Sequence, residues 1–109
     1  MYLIINEHKM LVKNAFWFHQ RLIGLSFKKK LKYAMLFKHV NSIHTFFMKV
    51  NIDIVAINEE NVVIFKAQDV PKNQIITIKN KIKNTSVLEL PRNTSKYLKI
   101  GQKVLFVKE

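Results

Sequence analysis

The stretch from Ser42 to Asn58 constrains the fold more than any other part of this chain. Side chains in a strand alternate between two faces, so residues of one parity share a face. One parity carries His44, Phe46, Met48, Val50, Ile52, Ile54 and Ala56, an almost unbroken apolar stripe. The other carries Ile43, Thr45, Phe47, Lys49, Asn51, Asp53, Val55 and Ile57, which is apolar at its ends and polar in the middle. Apolar arms of both parities mark strands covered on both faces, and the stretch is expected to fold as a strand, a sharp turn and a second strand. Each large apolar side chain buried contributes roughly 1.5 to 3 kcal/mol, against about 1 to 2 kcal/mol of backbone entropy per ordered residue. The two arms therefore drive folding locally, while Lys49, Asn51 and Asp53 gather hydrophilic groups near the bend, where parity can slip by one.

The rest of the 109 residues reads as further strands in a single domain, 1–109. Tyr2 to Ile5 and Met10 to Lys13, separated by Asn6-Glu7-His8-Lys9, predict a first hairpin. Ala34 to Phe37, Val62 to Ala67, Ile75 to Lys83, Thr85 to Leu90 and Lys103 to Val107 are the other strand-like runs. Two short helices are expected. The first covers about residues 15–23, with Asn14 as N-cap, Ala15, Phe18 and Leu22 at helical spacing, and Gly24 at the left-handed stop. The second covers about residues 94–98, capped by Asn93 or Thr94 and ending before Gly101.

The chain has no cysteine, which excludes thiol catalysis and a disulfide framework and suits a reducing, cytoplasmic setting. No apolar run approaches the ~18 residues of a membrane span, so none is expected.

Nineteen Lys and Arg face seven Asp and Glu, a net charge of +12. The only arginines are Arg21 and Arg92. Lys28, Lys29, Lys30 and Lys32 form a basic loop within about one Debye length, near 8 Å at physiological salt. Lys79, Lys81 and Lys83 alternate with Ile78 and Ile82 as a lysine ladder. Together they make a polyanion patch and a nonspecific nucleic-acid reading. A solvated surface explains them better. Nucleic-acid sites lean on arginine and on exposed aromatics between the cations, and charged edge strands discourage aggregation without any ligand.

Five blocks carry a resemblance. Arg21-Leu22-Ile23-Gly24-Leu25, Ala34-Met35-Leu36-Phe37, Ile43-His44-Thr45-Phe46-Phe47-Met48-Lys49 with Ile52-Asp53-Ile54, Val87-Leu88-Glu89-Leu90 and Ile100-Gly101-Gln102-Lys103-Val104 follow one another in the chain. In this order and spacing the chain resembles a prokaryotic conserved family, domain of unknown function 192, over roughly residues 10 to 107. The resemblance implies a mainly β fold, a compact sandwich or barrel with jelly-roll character and one or two short helices. It implies no activity, substrate or cofactor. Its characteristic polar positions fall here on Arg21, His44, Lys49, Asp53 and Glu89. The chain departs from the family pattern with Asn51 where proline is common, Arg92 where a small residue follows Leu-Pro, and Gln102 in place of Asp after Gly101.

Arg21 and Glu89 are expected to form a structural ion pair, because an unpaired buried charge is expensive. Arg21, His44, Lys49 and Asp53 are the candidate ligand-binding set. A hairpin would bring His44 and Asp53 within reach, the arrangement of a general base and its orienting carboxylate. Ser42 and Thr45 are the nearby hydroxyls, without the glycine-rich elbow of a nucleophile. His8, His19, His39 and His44 lack the ligand spacing of a metal site, and two glycines, Gly24 and Gly101, cannot make a phosphate loop. No metal and no cofactor are expected. The first reading is thus a non-enzymatic binding module for a small anionic ligand or a peptide. A weak hydrolase using His44 and Asp53 is the alternative, and nonspecific nucleic-acid binding comes third.

Overall fold

The computed structural model describes residues 1–15, 33–40, 42–45, 50–78 and 84–108. In chain order the strands are β1 (Tyr2–Ile5), β2 (His8–Asn14), β3 (Ala34–Phe37), β4 (Ser42–His44), β5 (Ile52–Ile57), β6 (Val63–Val70), β7 (Ile75–Thr77), β8 (Ser86–Pro91) and β9 (Phe106–Val107). The fold is mainly β, with one mixed sheet in the order β6-β5-β8-β3-β2-β1-β9 and a two-stranded sheet of β4 and β7. β2 and β3 pair in parallel and every other pair is antiparallel.

The expected first hairpin forms with a loop of Asn6 and Glu7 alone, since Ile5 pairs with His8. Their φ values are 48° and 65°. Two left-handed residues in succession are what a type I′ turn needs to match the twist of its strands.

Every residue of β5 is buried. Ile52, Ile54 and Ala56 pack with Met35, Phe37 and Val87, and the small sheet lays Ile43 and Ile76 over this side, with Ile78 just after it in the same cluster. Val55 and Ile57 pack on the opposite face with Leu36, Leu88, Leu90, Leu98 and Val104. Both parities of the second arm read as apolar because each face of the sheet has its own core.

The two arms do not form the expected hairpin. β4 pairs with β7, while β5 lies between β6 and β8. The reason lies in the ladders on offer. β8 pairs with β5 along six residues, from Ile52↔Pro91 to Ile57↔Ser86, whereas β4 has only three residues to give. β4 contributes more as a cover, with Ile43 buried against the face of Ile52 and Ile54.

Residues 101–107 close the sheet on itself. Gly101 N–H donates to Val63 O at 2.8 Å, Val63 N–H to Gln102 O at 2.9 Å and Val104 N–H to Asn61 O at 2.8 Å. Two residues further on, Ile4 N–H donates to Leu105 O at 3.0 Å and β9 pairs with β1. One short segment therefore bonds to β6 at one end of the strand order and, through β9, to β1 at the other, as closure of a barrel requires. Gly101 makes the bend possible with φ of 89°, a conformation that side chains disfavour.

The expected helix at 94–98 is a single 3-10 turn, Ser95–Tyr97. Thr94 does not cap it with its side chain; its Oγ1 donates instead to Pro91 O at 2.7 Å. The expected helix at 15–23 falls, from residue 16 on, outside the described residues. Among the described residues no helix is long and apolar enough to cross a membrane.

Candidate functional site

Asp53 is the centre of a buried polar cluster. It stands between Ile52 and Ile54 and opposite Leu90, so its side chain enters the core of Val55, Leu88 and Leu90. It is 0% exposed. Its Oδ1 accepts the Asp69 N–H at 2.8 Å, and its Oδ2 accepts both the Ser95 N–H at 2.9 Å and the Ser95 hydroxyl at 2.6 Å.

Each donor has a local cause. Between Ile52↔Val70 and Ile54↔Ala67, β5 advances two residues and β6 three, so β6 bulges around Asp69. A bulge leaves a ladder N–H without its strand partner. The φ of Asp69 is 54°, and the N–H freed by the bulge points to the Asp53 carboxylate. Ser95 opens the 3-10 turn, whose first N–H groups have no partner within the turn. One carboxylate thus ties the bulge to the turn. Charge-assisted bonds to N–H and O–H donors are the strong kind, which is how a carboxylate is tolerated in this core.

Asp69 joins the cluster to the surface. Its Oδ1 accepts Asn51 Nδ2 at 3.0 Å and lies 2.9 Å from Arg92 Nε. Asn51 and Arg92 are two of the positions where the chain departs from the family pattern, and both meet this one carboxylate. The third, Gln102, accepts the Lys99 N–H through Oε1 at 3.0 Å and tightens the turn before Gly101.

His44 lies elsewhere. It neighbours Ile43, which is buried under the small sheet, and pairs with Ile75, which is 65% exposed. Its side chain is therefore on the outer face of the layer that covers Ile52 and Ile54. Asp53 points to the other face of β5, so the main sheet stands between the two groups. Thr45 is fully buried, and its hydroxyl donates to Pro71 O at 2.7 Å and accepts the Gln74 N–H at 2.8 Å. These bonds hold the 71–74 loop. Glu89 is buried on β8 on the side of Val87, across from Met35 and Ile54.

Arg21, Lys49 and all seven lysines of the polyanion patch, Lys28, Lys29, Lys30, Lys32, Lys79, Lys81 and Lys83, lie outside the described residues. Among the described residues no three His, Asp or Glu side chains gather as metal ligands would. Ser95 and Asp69 are the site residues that sequence reasoning missed. They lie 42 and 16 positions from Asp53, and neither stands out in composition or periodicity.

A groove of about 320 Å³ opens elsewhere on the surface, between the Asn6–Glu7 turn and the chain after the 3-10 turn. Ile4, Tyr97, Leu98 and Leu105 line it together with one carboxylate, Glu7, and one ammonium, Lys103. Lys66 Nζ donates to Leu98 O at 3.0 Å and fixes the backbone there.

Three comparisons bear on this arrangement. The model of a family described as uncharacterised ACR, DUF192, matches residues 2–106. A solved structure from Sinorhizobium meliloti 1021, provisionally described as a transcription regulator, is similar with a TM-score of 0.77 at 19% identity, covering 95% of this chain and 89% of that one. A protein of unknown function from Novosphingobium aromaticivorans DSM 12444 is similar with a TM-score of 0.78 at 16% identity, covering 96% of this chain and 82% of that one. At these identities the likeness is one of fold. No curated protein matches the chain.

Proposed function

Because the chain belongs to the DUF192 family, whose description supplies no reaction, we propose a function from its physical chemistry: a non-enzymatic binding module for a small anionic ligand or a peptide. The observation that carries this reading is the state of Asp53. A catalytic carboxylate must reach either the reacting proton or the base that takes it. Asp53 is sealed from solvent, holds three donors and is separated from His44 by the sheet. With that carboxylate serving as scaffold, the hydrolase reading loses its orienting group. What remains is a cationic excess, and positive surface recruits anions. Arg21, His44 and Lys49 are the first contacts to test, in a cytoplasmic protein without cysteine.

Titration of the purified chain with inorganic phosphate, citrate and acidic peptides, followed by amide chemical shifts, tests this. Saturable shifts that weaken in the Arg21→Ala, His44→Ala or Lys49→Ala variants are expected. Turnover of an ester or phosphoester that disappears in Asp53→Asn, with the fold intact, would reverse the conclusion.

A further inference from the structure

The groove beside the Asn6–Glu7 turn is lined by two amides, Asn6 and Gln102, and by one charge of each sign. The carboxylate is that of Glu7 and the ammonium that of Lys103. Both side chains are exposed, and among the described residues neither takes part in an ion pair or a hydrogen bond. Opposite charges that share a concavity and leave each other unpaired are complementary to a ligand that brings the same two charges in reverse.

The fold fixes where both charges start from. Leu3 pairs with Phe106 and Ile4 N–H donates to Leu105 O at 3.0 Å, so the same antiparallel register, carried two residues further, sets the hairpin turn beside Lys103. Glu7, with φ of 65°, is the second residue of that two-residue turn and is held by the ladder on either side of it. Next to Lys103, Gln102 Oε1 accepts the Lys99 N–H at 3.0 Å, which leaves the amide nitrogen as a donor for an incoming carboxylate. Leu98 and Val104, which complete the lining from below, are buried members of the main core. A cleft built on such a base needs little ordering when a ligand enters.

We propose that this groove binds a small zwitterion of the amino-acid class, with its ammonium at Glu7 and its carboxylate at Lys103 and the Gln102 amide. A volume of about 320 Å³ is at the lower end for ligand sites and suits a free amino acid or a dipeptide. A ligand side chain that is polar and uncharged finds the Asn6 amide in the same lining. A simple anion offers nothing to Glu7 and brings a like charge towards it. The site is therefore separate from the Arg21, His44 and Lys49 set proposed above and does not rest on it.

The test is titration of the full chain with glutamine and with glycylglutamine at constant ionic strength, followed by amide chemical shifts. N-acetylglutamine, which lacks the ammonium, and glutaminamide, which lacks the carboxylate, are run beside them. Saturable shifts at Asn6, Glu7 and Lys103 are expected for glutamine, for glycylglutamine or for both, and the tighter one tells the free amino acid from the dipeptide. Taking either charge from the ligand is expected to weaken binding roughly three- to tenfold, the worth of one partly screened charge pair. Glu7→Gln is expected to erase the difference between glutamine and N-acetylglutamine, and Lys103→Met the difference between glutamine and glutaminamide. Both substitutions change exposed side chains and keep the fold. Equal binding of glutamine and its two one-charge analogues by the parent, or no saturable shift with either zwitterion, would overturn the proposal. So would shifts that persist in both groove variants and vanish in His44→Ala, which would move the ligand to the other set. Phosphate and citrate are expected to leave the Glu7 and Lys103 amides unmoved whether or not they bind elsewhere, and shifts there equal to those of glutamine would overturn the zwitterion.

Discussion

The two sides of one short turn differ in kind. At its start Ser95 is fully buried, with both its N–H and its hydroxyl engaged by Asp53; two residues later Tyr97 is 41% exposed at the wall of a groove. The first carries polar groups of the type used in catalysis and holds the fold. The second carries an aromatic side chain of the type used in cores and stands at the surface. Chemical type alone does not say which residue acts on a partner. Satisfied polar atoms in a closed core serve stability, whereas an aromatic ring beside a groove still meets solvent.

Substitutions sharpen this contrast. The largest effect is expected for Asp53→Ala, which leaves the buried Ser95 N–H and the part-buried Asp69 N–H without their acceptor. At roughly 1 to 3 kcal/mol for each stranded donor, a loss of about 3 kcal/mol follows. In a domain of this size that lowers Tm by roughly 10 to 20 °C, measurable by calorimetry. A Tm within a degree or two of the parent's would break the comparison, because Asp53 would then be no scaffold.

Ser95→Ala removes one hydroxyl donor and keeps the backbone bond. About 1.5 kcal/mol is expected, again read as a shift of the melting curve. Should the two losses come out equal, the hydroxyl rather than the pair of backbone donors would be the main support of the carboxylate.

The smallest effect belongs to Arg92→Ala. Arg92 and Asp69 pair at 2.9 Å with side chains 59% and 45% exposed, so solvent screens them. A change below about 1 kcal/mol, vanishing in high salt, is expected from urea melts. The same cluster would then grade from large to negligible over a few ångströms, from the sealed carboxylate to the exposed one.

Much of the architecture is readable from alternation. Ala34 to Phe37 is a strand with the expected bounds, and Ser86–Pro91 differs by a residue at each end. The hairpin around Asn6 was expected because polar residues separate two β-like runs. Gly101 is expected as the stop of a short helix, and it stands at a bend with φ of 89° after a single 3-10 turn. Where expectation failed, the missing information was a partner. Periodicity says that Ser42–His44 has one apolar side and that Ile52–Ile57 has two, but it does not say which ladders they join. Adjacency in sequence suggested each other, and the longer ladder with β8 prevailed.

The candidate site shows the same division more sharply. Asp53 was singled out by being polar among apolar neighbours, and burial at 0% agrees that the position is special. Its pairing with His44 rested on the supposed hairpin and fell with it. Asn51 and Arg92 looked like unrelated departures until Asp69 brought them together.

Local pattern alone determined that this chain makes strands, where most of them run, that it carries a large positive charge and that a polar residue interrupts the best core segment. These follow from the period of two and from residue chemistry, which neighbours in sequence already possess. Only the tertiary structure decided that Asp53 holds a bulge and a turn, that His44 sits across the sheet, and that Tyr97 and Leu105 share a groove. Those facts depend on contacts between residues far apart in the chain, whose energies exist only once the sheet has closed.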